Sequence, residues 1–88
     1  TVSLIIDEIS SGFRLLTGGA HLRYGIKPDV AVFSKGLGNG YPISAILGKR
    51  EIMSAAEKTF LSSTNWTERI GPTAALAMIQ KHKKFQVN

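Results

Sequence analysis

Two short apolar runs, each closing on charged residues, most constrain what this chain can fold into. Residues 2–6 (VSLII) are rich in β-branched side chains and end at Asp7 and Glu8. Residues 30–33 (VAVF) follow Pro28 and Asp29 and end at Ser34 and Lys35. A continuous apolar run, as opposed to an alternating one, is the pattern of a strand covered on both faces. Between them lies ISSGFRLLTGGAHLRYGIKP, which Gly12, Gly18, Gly19, Gly25 and Pro28 break into turns with at most a short helix. That interval is long enough for the crossover that parallel neighbours require, so the two runs are expected to be parallel strands.

The rest of the chain completes an α/β pattern. After the glycine-rich turn GLGNG, residues 43–47 form a third candidate strand closed by Gly48, and its short connection suits an antiparallel partner. Residues 49–58 suggest a short amphipathic helix with Ile52, Met53 and Ala56 on one side. A hydroxyl-rich irregular segment, residues 59–66, precedes PTAALAMIQKHKKF, where Pro72 suits the first helical position and strong helix formers follow. No internal repeat or low-complexity linker divides the chain, which reads as one unit.

Composition removes several chemistries. No cysteine is present, which excludes disulfides, thiolate metal sites and cysteine nucleophiles. No stretch approaches the about 20 apolar residues that cross a bilayer, and the opening TVSLIIDE lacks the basic flank of a signal peptide, so a cytoplasmic setting is expected, with no membrane partner. The net charge of +5 gathers partly at Lys81, Lys83 and Lys84, where cations complement a helix C-terminus without a nucleic-acid partner. GLGNG is not the dinucleotide fingerprint, and Lys35 precedes its glycines where a P-loop places its lysine after them. Asn65-Trp66-Thr67 fits the glycosylation pattern by coincidence. His21 reads as a loop residue and His82 as a helix-end cation or solvated ring, with no acid near either.

The charged strand ends carry the chemistry that remains. Parallel strands would bring Asp7 and Lys35 out at the same sheet edge, where open α/β sheets place ligands. One reading is an exposed ion pair of little energetic value. The other is that an amine and an acid face one cleft, as pyridoxal phosphate demands: the amine carries the cofactor, and the acid keeps the ring nitrogen protonated so that the ring can act as an electron sink.

The strings LIIDEISSGFR, KPDVAVFSKGLGNGYPISAILGKREIM and SSTNWTERIGPTAALA, in this order, resemble the class III pyridoxal-phosphate aminotransferases, the group that contains glutamate-1-semialdehyde aminomutase and the ω-aminotransferases. The resemblance covers nearly the whole chain and includes Gly12, Phe13, Arg14, Pro28, Asp29, Gly40, Pro42, Gly48 and Pro72. It departs from many relatives at Asn65, Trp66 and Thr67, where theirs is shorter and richer in glycine. It implies the fold type I, aspartate aminotransferase-like architecture, with residues 1–88 as an interior part of the cofactor-binding large domain of a homodimer. It further implies that Lys35 forms the internal aldimine and serves as acid and base, that Asp7 holds the pyridine nitrogen, and that Thr67 binds the cofactor phosphate, reaching the neighbouring subunit's site. Substrates would be a small-molecule amino donor and an oxo acceptor, or a single substrate in an aminomutase; racemases and decarboxylases share the same attachment. The isolated stretch is expected to be inactive. Glu8 is expected to play a structural part, pairing with a base such as Arg14, and Gly36, Gly38 and Gly40 to free the backbone beside the lysine where side chains would obstruct the cofactor. For Thr67 the alternative is an N-cap hydroxyl ahead of the last helix.

Overall fold

The computed structural model describes residues 2–59 and 69–85. Three strands form one sheet in the order β1 (Ile5–Glu8), β2 (Val30–Phe33), β3 (Ala45–Gly48). Strand β1 runs parallel to β2, with Ile5 opposite Val30 and Asp7 opposite Val32. Strand β3 runs antiparallel to β2, with Val30 opposite Gly48 and Phe33 opposite Ala45. Both pairings are those that the connection lengths predict, and the sheet followed by helices is the α/β architecture expected.

The bounds differ from the sequence reading in instructive ways. The first strand starts at Ile5 and includes Asp7 and Glu8. Leu4 is tied by Asp29 instead of continuing a ladder: its N–H donates to Asp29 Oδ2 at 2.7 Å and its carbonyl accepts from Asp29 N at 2.8 Å. The third strand starts two positions later than expected because Ile43 turns inward against the last helix, and its carbonyl accepts from Ser34 Oγ at 2.8 Å. The helix expected over 49–58 forms one α turn, α1 (Arg50–Met53), and then tightens into a 3₁₀ turn, Ser54–Lys58.

Helix α2 (Ile70–Phe85) opens two residues before Pro72, so the proline sits third and not first. The first turn tolerates it, because N–H groups there have no intrahelical acceptor. Gly71 lets this turn approach the sheet: a Cβ there would stand 3.3 Å from Ile43 Cδ1. The core comprises Ala31, Phe33, Leu37 and Ala75, with Phe13, Ile43, Ala45, Met78 and Ile79 packed around it. Phe13 and Phe33 meet at 5.7 Å between centroids in a tilted pair, and burying an aromatic of this kind contributes about 2–3 kcal/mol.

Alternation along the strands puts Ala31, Phe33 and Ala45 on the face that α2 covers, together with Glu8. Ile5, Asp7, Val32 and Ile46 share the opposite face. The expectation of cover on both faces is not met among the described residues: Ile5 is 62% exposed and Ile46 47%. No helix among the described residues is long and apolar enough to cross a membrane.

Candidate active site

The turn that leaves β1, residues 7–12, organises the C-terminal edge of the parallel pair. Asp7 Oδ1 accepts the N–H of Ile9 at 2.9 Å, and the carbonyl of Glu8 accepts the N–H of Gly12 at 2.9 Å. Glu8 itself points into the covered face and is 2% exposed. A buried carboxylate is costly unless its oxygens are satisfied. Here Ser11 Oγ donates to Oε1, while Oε2 accepts from the His21 backbone N–H at 2.8 Å and from His21 Nδ1 at 2.7 Å. Burial opposes ionisation of Glu8, but the hydrogen bonds of Ser11, the His21 backbone, the His21 ring and the Ala20 backbone together outweigh it and hold the carboxyl down at about 2. The structural part expected of Glu8 is therefore present, but its partner is His21, not Arg14, and His21 belongs to a 3₁₀ turn, Ala20–Tyr24, with an acid at hydrogen-bond distance.

Lys35 leaves the end of β2 with φ 32°, in the left-handed region that side chains disfavour. Its ammonium is exposed and donates to Ser10 Oγ at 2.8 Å. Phe13 (φ 60°) and Asn39 (φ 47°) are the other non-glycine residues with positive φ among those described, and all three line one open groove of about 910 Å³ between this edge and α2. Backbone strain of this sort costs on the order of 1–3 kcal/mol per residue and concentrates at functional sites. The opposite wall of the groove includes Met78, Lys81 and His82. His82 lies in the last turn of α2 but is not simply solvated: its Nε2 donates to the Phe13 carbonyl at 3.1 Å and its Nδ1 pairs with Thr17 Oγ1 at 2.7 Å. It thereby ties α2 to the loop that carries the strained Phe13.

Two of the glycines beside Lys35 meet backbone crowding, while Gly40 has open space around it and a φ of 104°, and all three line the groove. A Cβ on Gly36 would lie 2.9 Å from the carbonyl oxygen of Gly12, and one on Gly38 would collide with the carbonyl of Tyr41. The Lys35 backbone is thus packed directly against the turn that follows β1.

Asp7 and Lys35 converge on that turn from two strands, one through Ile9 and one through Ser10, and they do not neutralise each other. Among the described residues the ion pairs are Glu8 with His21 and Asp29 with Lys49. Asp7 does not line the groove that holds Lys35; it reaches the edge from the uncovered sheet face. Thr67 lies outside the described residues. Sequence reasoning missed Ser10, His21 and His82 as members of this edge, because their partners stand 25, 13 and 69 positions away. The one available signal was Glu8, an acid in an apolar run, which required a buried partner.

Comparison with known proteins places this edge in context. The model of the family described as Aminotransferase class-III matches residues 1–87. The chain is 47% identical over 78 residues to 3-aminobutyryl-CoA aminotransferase of Cloacimonas acidaminovorans, covering 88% of this chain and 19% of the relative. It is 42% identical over 88 residues to glutamate-1-semialdehyde 2,1-aminomutase of Nitrosopumilus maritimus, covering 97% and 21%. Among solved structures, the PLP internal aldimine form of the FumI protein of Sphingopyxis sp. MTA144 superposes with a TM-score of 0.86 at 30% identity, over 94% of this chain and 20% of that one. The chain spans about a fifth of the length of these relatives.

Proposed function

The chain belongs to the class III aminotransferase family, and we propose that residues 1–88 are part of the large domain of a pyridoxal-phosphate-dependent aminotransferase, with Lys35 holding the cofactor and Asp7 at its ring nitrogen. The observation that carries this reading is the convergence of the Lys35 amine and the Asp7 carboxylate on one turn without pairing. The donor set fits the cofactor. Lys35 offers an exposed primary amine bound to a single hydroxyl, and Asp7 engages one oxygen with Ile9 and leaves the other without a hydrogen bond among the described residues.

Pyridoxal phosphate, when bound, draws electrons away from the bonds at the substrate's amine-bearing carbon. The chain's own residues do the rest. Asp7, as an anion, keeps a proton on the pyridine nitrogen. Lys35 anchors the cofactor and then takes and returns a proton at the substrate carbon, a role that suits a group whose proton is easily exchanged on desolvation. Thr67 is proposed to bind the cofactor phosphate, reaching the site of a second subunit in a homodimer. Substrates are a small amine or amino acid and an oxo acceptor. The stretch of 88 residues alone is proposed to be inactive.

The similarity to an aminomutase over 97% of the chain favours one second reading, in which the amino group is returned to a neighbouring carbon of the same molecule. Lys35 and Asp7 keep their roles there, and turnover without an added oxo acceptor distinguishes it.

The test uses the full-length protein. Pyridoxal phosphate is added, the complex is reduced with borohydride, and the tagged peptide is mapped. A tag on Lys35 that disappears in Lys35→Ala is expected; no tag in a folded protein overturns the proposal and leaves a non-catalytic scaffold.

A further inference from the structure

We propose that Ser10 is the positioning residue for the Lys35 amine, an assignment that rests on the reading of Lys35 as the cofactor anchor. A lysine side chain has four rotatable carbons and loses about 2 kcal/mol of rotamer entropy when fixed in one geometry. The Lys35 backbone is already fixed, since its left-handed turn is backed through Gly36 against the carbonyl of Gly12. Its side chain has one hydrogen-bond partner among the described residues, the hydroxyl of Ser10 at 2.8 Å.

That hydroxyl is itself held in place. Ser10 lies between Ile9, whose N–H is taken by Asp7, and Ser11, whose hydroxyl is taken by the buried Glu8. One residue further, Gly12 N–H closes on the Glu8 carbonyl. Three consecutive constraints surround Ser10, while its own side chain is exposed and packs in no core. The acid that serves the ring nitrogen and the hydroxyl that guides the amine therefore belong to the same four-residue stretch, Asp7 to Ser10. Cofactor capture joins Nζ to the aldehyde carbon with loss of one water, and Ser10 emerges from it unchanged. Its contribution is to aim the amine along the edge toward Asp7, so that the anchored ring meets the carboxylate.

The experiment compares full-length wild type, Ser10→Ala and Ser10→Thr after removal of cofactor. Pyridoxal phosphate is mixed in, the rise of its bound absorbance is followed, and the visible circular dichroism of the product reports the orientation of the ring. Ser10→Ala is expected to capture cofactor about fivefold more slowly, the effect of one lost hydrogen bond, with a weakened dichroic band and an unchanged thermal midpoint. Ser10→Thr is expected to restore both signals. Wild-type rate and dichroism in Ser10→Ala overturn the assignment. So does a slow variant with a lowered thermal midpoint that threonine does not rescue, since that is a folding effect. Borohydride mapping separates the two levels: a tag elsewhere than Lys35 in the wild type brings down the anchor and Ser10 together. A tag on Lys35 with an unaffected Ser10→Ala removes Ser10 alone.

Discussion

Oε2 of Glu8 receives both the backbone N–H and the Nδ1 of His21, at 2.8 and 2.7 Å, across thirteen positions of sequence. The pair pins the start of the Ala20–Tyr24 turn to the end of β1, directly behind the edge that carries Asp7 and Ser10. Glu8→Gln keeps the shape but turns one acceptor into an NH₂ facing donors. The expected loss is about 2–3 kcal/mol, the cost of breaking a buried charge-assisted network, measured by urea denaturation. Because His21 acts through the same contact, His21→Ala should cost less in the Glu8→Gln background than in the wild type, and a double-mutant cycle gives the coupling directly.

Acid should expose the same network by a different route. The Glu8 carboxyl titrates at about 2 in the fold against an ordinary 4.5, so the folded state binds a proton less readily than the unfolded chain. Its contribution to stability is fully present above about pH 4.5 and is lost as the pH falls toward 2. Stability measured across that window should decline in the wild type and decline less steeply in Glu8→Gln, which has no proton to take up at that position. Equal slopes for the two proteins would show that other carboxylates carry the acid sensitivity.

How far the sequence reached depends on whether local pattern or distant partnership decides a feature. Both strand pairings and the emergence of Asp7 and Lys35 at one edge follow from β-branched runs and connection lengths, which are local. The extension of β1 over Asp7 and Glu8 does not: a charged residue ends an apolar run by pattern, and only the partners Ser11 and His21 let Glu8 be buried in the strand. His82 read as a solvated helix end for the same reason, since Thr17 and the Phe13 carbonyl come to it from the loop that follows β1, 65 and 69 positions away in sequence. Gly36 and Gly38 were visible, but their contact with the carbonyls of Gly12 and Tyr41 needed the fold.

Gly36→Ala tests that contact. The added Cβ would stand 2.9 Å from the Gly12 carbonyl oxygen, a backbone atom that cannot swing aside. Overpacking of this kind costs about 1–3 kcal/mol. Relief requires Lys35 to move away from the turn, so the Lys35 to Ser10 hydrogen bond should lengthen. Slower cofactor capture together with a lowered thermal midpoint is the expected combination, in contrast to Ser10→Ala, where capture slows and the midpoint holds.

Asp7→Asn separates the charge of this residue from its place in the turn. Asp7 is exposed, and its one hydrogen bond among the described residues is the acceptance of Ile9 N–H at 2.9 Å. An asparagine carbonyl oxygen can accept the same bond, so stability should match the wild type. The anion proposed to keep a proton on the cofactor ring would be gone, and an electrostatic partner of the reacting group is worth about 100-fold or more in rate. Full-length Asp7→Asn should therefore fold and retain a borohydride-trapped tag on Lys35, while single-turnover amino transfer slows by about that factor. Wild-type rates in this variant would mean that the ring nitrogen finds its acid elsewhere, and that Asp7 is a turn-forming residue alone.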